Sequence, residues 1–200
     1  MRYQIREKLF RLGEDNDILN EAGQPALQVD GKVLSLHGLM LVNDLAGTEV
    51  ARVSRKLVAL LATYEITIAA GGTAEVHQRF SGPFHKKWTI SVAGGTDMEM
   101  EGNFGGHDFI ITENGETVAT ISKAWISLAA SYGVDIIAGQ NDLLILCGVL
   151  ALEAEQDRAQ EHNRGVGGIG GLGGIGGGIG GLGLGGIESI AGDILGDHSI

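Results

Sequence analysis

The residues of this 200-residue chain with the clearest chemistry are cations that stand beside aromatic side chains. Arg52, Arg55 and Lys56 form one group, joined through an internal repeat by Lys123 near Trp125, while His85, Lys86 and Lys87 precede Trp88 in the other. Cations next to an aromatic ring suit a phospholipid headgroup, because each Lys or Arg near an anionic leaflet gains electrostatic energy. The competing reading is a set of scattered, solvated surface cations.

Other chemistry-bearing residues lack the company their chemistry needs. Asp97, Glu99 and Glu101 offer oxygens of the kind calcium takes. On a strand, however, residues two apart point in parallel instead of converging, so an exposed acidic face is expected. His77, His85 and His107 have no paired ligand spacing and no HExxH frame, and they read as solvated strand or loop residues. Cys147 lies among apolar neighbours, which disfavour a reactive thiolate. Ser54 and Ser122 lack the GxSxG turn of a nucleophilic serine. Gly165, Gly167 and Gly170 satisfy GxGxxG, but that fingerprint works only after a buried strand and before a helix. Here a polar helix precedes it and more glycine follows. The expectation is a non-enzyme without cofactor or metal.

The element that must position these groups is Asp142 to Leu152, DLLILCGVLAL, apolar on every side. A helix without a polar face belongs in a core or a membrane, and a span needs about 20 residues. This stretch is therefore expected inside protein, as part of a helix near 141–161. Asn141 or Asp142 would cap it, Cys147 and Gly148 would let the surrounding wall approach, and Glu153 onward would emerge into water.

From Tyr3 to Val134 short alternating runs are separated by Gly, Asn and Asp, the signature of an antiparallel meander. Hairpins are expected through Glu21-Ala22-Gly23, through Asn43 to Gly47, through Gly94-Gly95 and through Asn114-Gly115. Asn-Gly suits the positive φ of a tight hairpin turn. Glu49 to Ile66 lies on Thr117 to Val134 without a gap, with Val50, Ala51, Ser54, Leu60, Ala62 and Tyr64 identical to Val118, Ala119, Ser122, Leu128, Ala130 and Tyr132. Such a repeat suggests a duplicated half-barrel. Many strands followed by one apolar helix have a simple solution, in which the sheet closes, removes its edges and takes the helix through its middle.

Composition divides the chain near Arg164. Of 34 glycines, 17 fall in residues 165–200, and the net charge of −11 splits into −8 for the body and −3 for this tail. That balance disfavours nucleic acid as a partner. A lone cysteine fits a reducing compartment, so a cytoplasmic location is expected, peripheral at the membrane. The start, MRYQIREKLF, has no uninterrupted apolar region and is not expected to be a signal or anchor. Residues 165–187 carry no charge but many Ile and Leu. Fifteen glycines at about 1 kcal/mol each offset the gain from eight buried aliphatic groups at about 2 kcal/mol each. No transmembrane helix is expected there; disorder with transient self-association is.

MRYQIREKLF, VDGKVLSL (Val29 to Leu36), WTISVAGGTDMEMEGNF (Trp88 to Phe104) and SYGVDIIAGQNDLLIL (Ser131 to Leu146) together resemble the LURP-one-related proteins. These belong to the tubby C-terminal-like superfamily, with the phospholipid scramblases. The resemblance covers roughly residues 1 to 160 and implies a twelve-stranded barrel around a central hydrophobic helix, with no established enzymatic activity. It also implies a binding or scaffold role toward an acidic phospholipid or a protein partner. The alternative is scramblase-like lipid handling with the glycine-rich tail as membrane element. No phosphoinositide-contacting motif of tubby matches here, so no site is carried over from it.

Overall fold

A computed structural model describes residues 1–6, 16–32, 38–57, 59–80, 86–103, 106–122 and 131–166. Twelve strands follow one another: β1 (Arg2–Arg6), β2 (Asn16–Asn20), β3 (Pro25–Lys32), β4 (Leu39–Asn43), β5 (Glu49–Arg55) and β6 (Thr63–Ile68), then β7 (Thr73–Phe80), β8 (Lys86–Val92), β9 (Met98–Asn103), β10 (Asp108–Glu113), β11 (Glu116–Ser122) and β12 (Ser131–Ile136). Each pairs antiparallel with the next, and β1 closes the ring on β12 from Arg2↔Asp135 to Arg6↔Ser131. The closed antiparallel barrel is thus as expected. Period-two alternation sends one side chain of each pair inward, so Ile66, Val76, Ile90, Met100, Ile111, Ile121 and Val134 meet in the lumen while their neighbours face out.

Helix α1 (Asp142–Val166) fills that lumen. Asn141 caps it, its Oδ1 accepting from the Leu144 amide at 3.1 Å. Leu144, Ile145, Leu146, Val149, Leu150 and Leu152 are all buried, each contributing about 2 kcal/mol by leaving water. At Gly148 a Cβ would stand 2.6 Å from Ile90 Cδ1 and 3.1 Å from Met100 Cε, so the missing side chain is what lets the helix backbone come so near β8 and β9. Cys147 is fully buried, and burial pushes its thiol up to about 12. One boundary differs from expectation. Burial continues through Ala154, and Glu153, expected to meet water, is only 4% exposed.

The sequence repeat appears as identical registers. In β5 and β6, Ala51 faces Ile68 and Ser54 faces Glu65; in β11 and β12, Ala119 faces Ile136 and Ser122 faces Gly133. The two pairs lie six strands apart in a ring of twelve, as a doubled half-barrel requires.

Chain direction gives the barrel two unlike ends. At one, the turns β2–β3, β4–β5, β6–β7, β8–β9 and β10–β11 are tight, and α1 begins. Asn114 and Gly115 there take φ of 52° and 82°, the paired positive values of a two-residue hairpin. At the other, here called the mouth, stand the strand ends that flank residues 7–15, 33–37, 56–62, 81–85, 104–107 and 123–130, and α1 leaves the barrel.

Candidate functional site at the barrel mouth

Because α1 occupies the lumen, the barrel's chemistry gathers where that helix meets the mouth. Three contacts hold it there. Deepest, His107 Nε2 lies 2.7 Å from Glu153 Oε2, both side chains buried. The His107 ring stacks on Tyr132, centroids 4.3 Å apart and planes inclined by 19°. His107 has φ of 50°, so the backbone turns sharply to bring its ring inward. Two residues further along α1, Tyr64 donates to Glu155 Oε2 at 3.0 Å, and Arg55 Nε stands 3.6 Å from the same oxygen. Burial, and then the Glu155 charge and its hydrogen bond, push the Tyr64 phenol well above its ordinary value. Finally, Arg158 lies against Gly38, where a Cβ would come within 2.4 Å of its guanidinium.

Around these contacts run the strand ends of the mouth, where several of the cations singled out from the sequence stand. Arg55 ends β5, Lys56 directly follows it, and Lys86 and Lys87 begin β8; Arg55 turns inward to Glu155, while Lys56 and Lys87 face out. Lys123, Trp125 and His85 themselves lie outside the described residues, as does the Lys86 side chain. Arg52 stands apart, halfway along β5, forked onto Glu49 at 3.0 Å through two nitrogens. That pairing raises Arg52 and lowers Glu49 from their ordinary values. Lys56 pairs with Glu75 and Lys87 with Glu101, each hydrogen bond raising the lysine. The four side chains are 38–49% exposed, and ion pairs of that kind hold weakly against water and salt.

Two expectations need correction. Trp88 is buried, with the parity of Ile90, so its ring packs in the lumen and does not flank Lys87 on the surface. His107 is not a solvated loop residue but the buried partner of Glu153. His77 sits half-buried on the outer wall, opposite Thr63 and Thr89. The acidic stripe of β9 faces out while Met98 and Met100 face in. Asp97 is taken by its turn, accepting from the Ser91 hydroxyl at 3.0 Å and the Val92 amide at 3.1 Å, and Glu101 by Lys87. Among the described residues no three His, Cys, Asp or Glu side chains converge as metal ligands.

The LURP-one-related family model matches residues 1–153. The chain belongs to that family. It is 29% identical over 150 residues to YxjI, an uncharacterized protein of Bacillus subtilis (strain 168), a match covering 74% of this chain and 88% of the relative. An X-ray structure of an Arabidopsis thaliana protein shares the fold, with a TM-score of 0.53 and 10% identity over 78% of this chain and 92% of that one. No helix among the described residues of this LURP-one-related chain is long and apolar enough to cross a membrane.

Sequence reasoning passed over Glu155 and the interior role of Glu153. Tyr64 and Tyr132 did carry a signal, being identical positions of the repeat, Tyr64 bonded to Glu155 of the helix and Tyr132 stacked on His107, which holds Glu153.

Proposed function

We propose that this LURP-one-related barrel is a non-catalytic binding module whose working surface is the mouth rim, and that Arg55, Lys56, Lys86 and Lys87, with Lys123 and the more distant Arg52, receive the phosphates of acidic phospholipid headgroups. In this reading the protein acts peripherally at a cytoplasmic membrane face. The observation that supports it is that the lumen is filled by the protein's own helix while four of the six cations stand at described positions of one end. A ligand excluded from the lumen must be met on the surface, and a headgroup needs little depth. The exposed partners Glu75 and Glu101 hold Lys56 and Lys87 loosely enough for a phosphate, bearing more charge and more acceptor oxygens, to replace them.

Flotation of the full chain with vesicles across headgroup types tests the proposal. Binding is expected to require anionic lipid, to weaken with salt, and to be lost in Lys56→Glu with Lys87→Glu. Flotation that survives this double reversal but needs residues 165–200 would overturn it in favour of tail-borne lipid handling.

A further inference from the structure

Where α1 leaves the barrel, two guanidinium groups share one carboxylate. Arg55 and Tyr64 are cross-strand partners on β5 and β6, with the inward parity of Val53 and Ile66. Tyr64 already donates to Glu155 Oε2, and Arg55 Nε stands 3.6 Å from that oxygen, beyond hydrogen-bond range. Nε is shut off from solvent and has no hydrogen-bond acceptor among the described residues. A buried donor on a cation is uncommon in that position.

Arg158 is the second cation. Its guanidinium takes the space left at Gly38, where φ is 51° and the side chain is missing. It stands close enough to Tyr64 for its charge to favour the phenolate, as that of Arg55 does, against the larger effects of burial and Glu155. A guanidinium carries five N–H donors in one plane, so one or two partners exhaust neither group.

Against these two cations stands Glu155. Asp157 is two positions further along α1, about 200° round the helix, and so faces another side of the barrel. Glu153 is held by His107, and Glu65 and Glu75 have outward parity on the wall. Among the described residues the cluster therefore carries two positive charges and one negative. The Arg55 and Glu155 side chains are 29% and 24% exposed, sheltered enough to strengthen electrostatic contacts yet open to a solute. Paired forks with a positive charge in excess match a tetrahedral oxyanion, whose oxygens accept bidentate bonds from arginine.

We infer that Arg55 and Arg158 form a phosphate-binding site inside the mouth, which takes a phosphomonoester group, lipid-borne or free, while Glu155 stays on the Tyr64 hydroxyl. This rests on the headgroup reading for Arg55 and adds a chemistry to it. A terminal phosphate offers three free oxygens to two forks, whereas the outward lysines meet a phosphodiester as point charges.

Thermal melting of the full chain in inorganic phosphate, against chloride of equal ionic strength, reads this site. The melting temperature is expected to rise with phosphate. Affinity should fall about tenfold in Arg158→Gln, the loss of charge-assisted hydrogen bonds, and less in Arg158→Lys, which keeps the charge without the fork. It should rise in Glu155→Gln, which leaves Tyr64 an acceptor and removes the competing charge. A general loss of stability would not move the variants in opposite directions. Flotation with phosphatidylcholine vesicles carrying either phosphatidic acid, a monoester, or phosphatidylserine, a diester, finds the source. A preference for phosphatidic acid that Arg158→Gln removes places the phosphate on a lipid; a response to inorganic phosphate without that preference makes the ligand a free phosphomonoester. If neither phosphate nor phosphatidic acid is distinguished, or if the Arg158 and Glu155 variants respond as the parent chain does, the cluster is an internal ion pair only and the site is overturned. The headgroup reading would then still stand on Lys56 and Lys87. A phosphate response without flotation on any lipid would instead overturn the headgroup reading and leave this site in place.

Discussion

At the tight-turn end of the barrel, acidic and amide side chains are spent on the turns themselves, whereas at the mouth they face the helix or half-exposed lysines. Asn20 Oδ1 accepts from the amides of Ala22 and Gln24, both at 3.0 Å, and Asp44 Oδ1 accepts from Ala46 and Thr48 at 2.9 and 2.8 Å. Asp97 closes its own turn, Arg2 bonds Asp135 at 2.9 Å, and Tyr3 donates to Asp142 at 2.9 Å. Local loops closed by Asx side chains hold their shape without help from afar. At the mouth Asn103 Oδ1 likewise accepts from the Gly106 amide at 3.0 Å, but the other polar groups there bind the helix or a lysine: His107 meets Glu153, Tyr64 meets Glu155 and Lys56 meets Glu75. The lesson is that one end is built to be finished, and the other leaves cations within reach of solutes.

The largest expected effect removes both ends together. Leu146→Asp places an unpaired charge on the axle they share, at a cost of several kcal/mol, and should prevent folding. Soluble protein with an unchanged melting temperature would show that α1 is not enclosed. Next, Glu153→Ala should cost about 1–3 kcal/mol by removing the acceptor from the buried His107 ring. Amide exchange should quicken around residues 106–108 and 131–133 while the tight turns stay protected; uniform quickening would mean that the two ends unfold as one.

A smaller effect tests one phenol at each end. Burial and the Asp142 hydrogen bond raise Tyr3 to about 12 from 10.0, and Tyr64 is raised further by burial and Glu155. A raised folded value means that the native chain keeps protons the unfolded chain has released. The stabilisation is therefore complete below pH 10.0 and is lost as pH rises through about 12. Urea midpoints between pH 9 and 12 should fall with pH, and less steeply in Tyr3→Phe and in Tyr64→Phe. Equal slopes in all three proteins would deny the phenols that role.

Much of the fold was legible because it rests on short-range pattern. Alternation marked the hairpins, Asn-Gly its turn, and an apolar run without a polar face marked the enclosed helix. The end of burial was not legible. Glu153 reads as the first residue to meet water, and only His107, 46 positions earlier, makes it an interior group. Nor were the partners of the cations, since Lys56 meets Glu75 and Lys87 meets Glu101 through strand register at separations of 19 and 14. Trp88 is a case where sequence adjacency misled. It follows Lys87 in the chain, but on a strand consecutive side chains point to opposite faces.

The claim that the mouth is the working end is tested most directly by hydrogen exchange of the full chain with and without vesicles containing phosphatidylserine. Slowed exchange confined to residues 56–62 and 79–87, with the hairpin turns at 21–24, 44–48 and 93–97 unaltered, is the expected result. Protection at those turns, or none anywhere on vesicles that the protein binds, would contradict it.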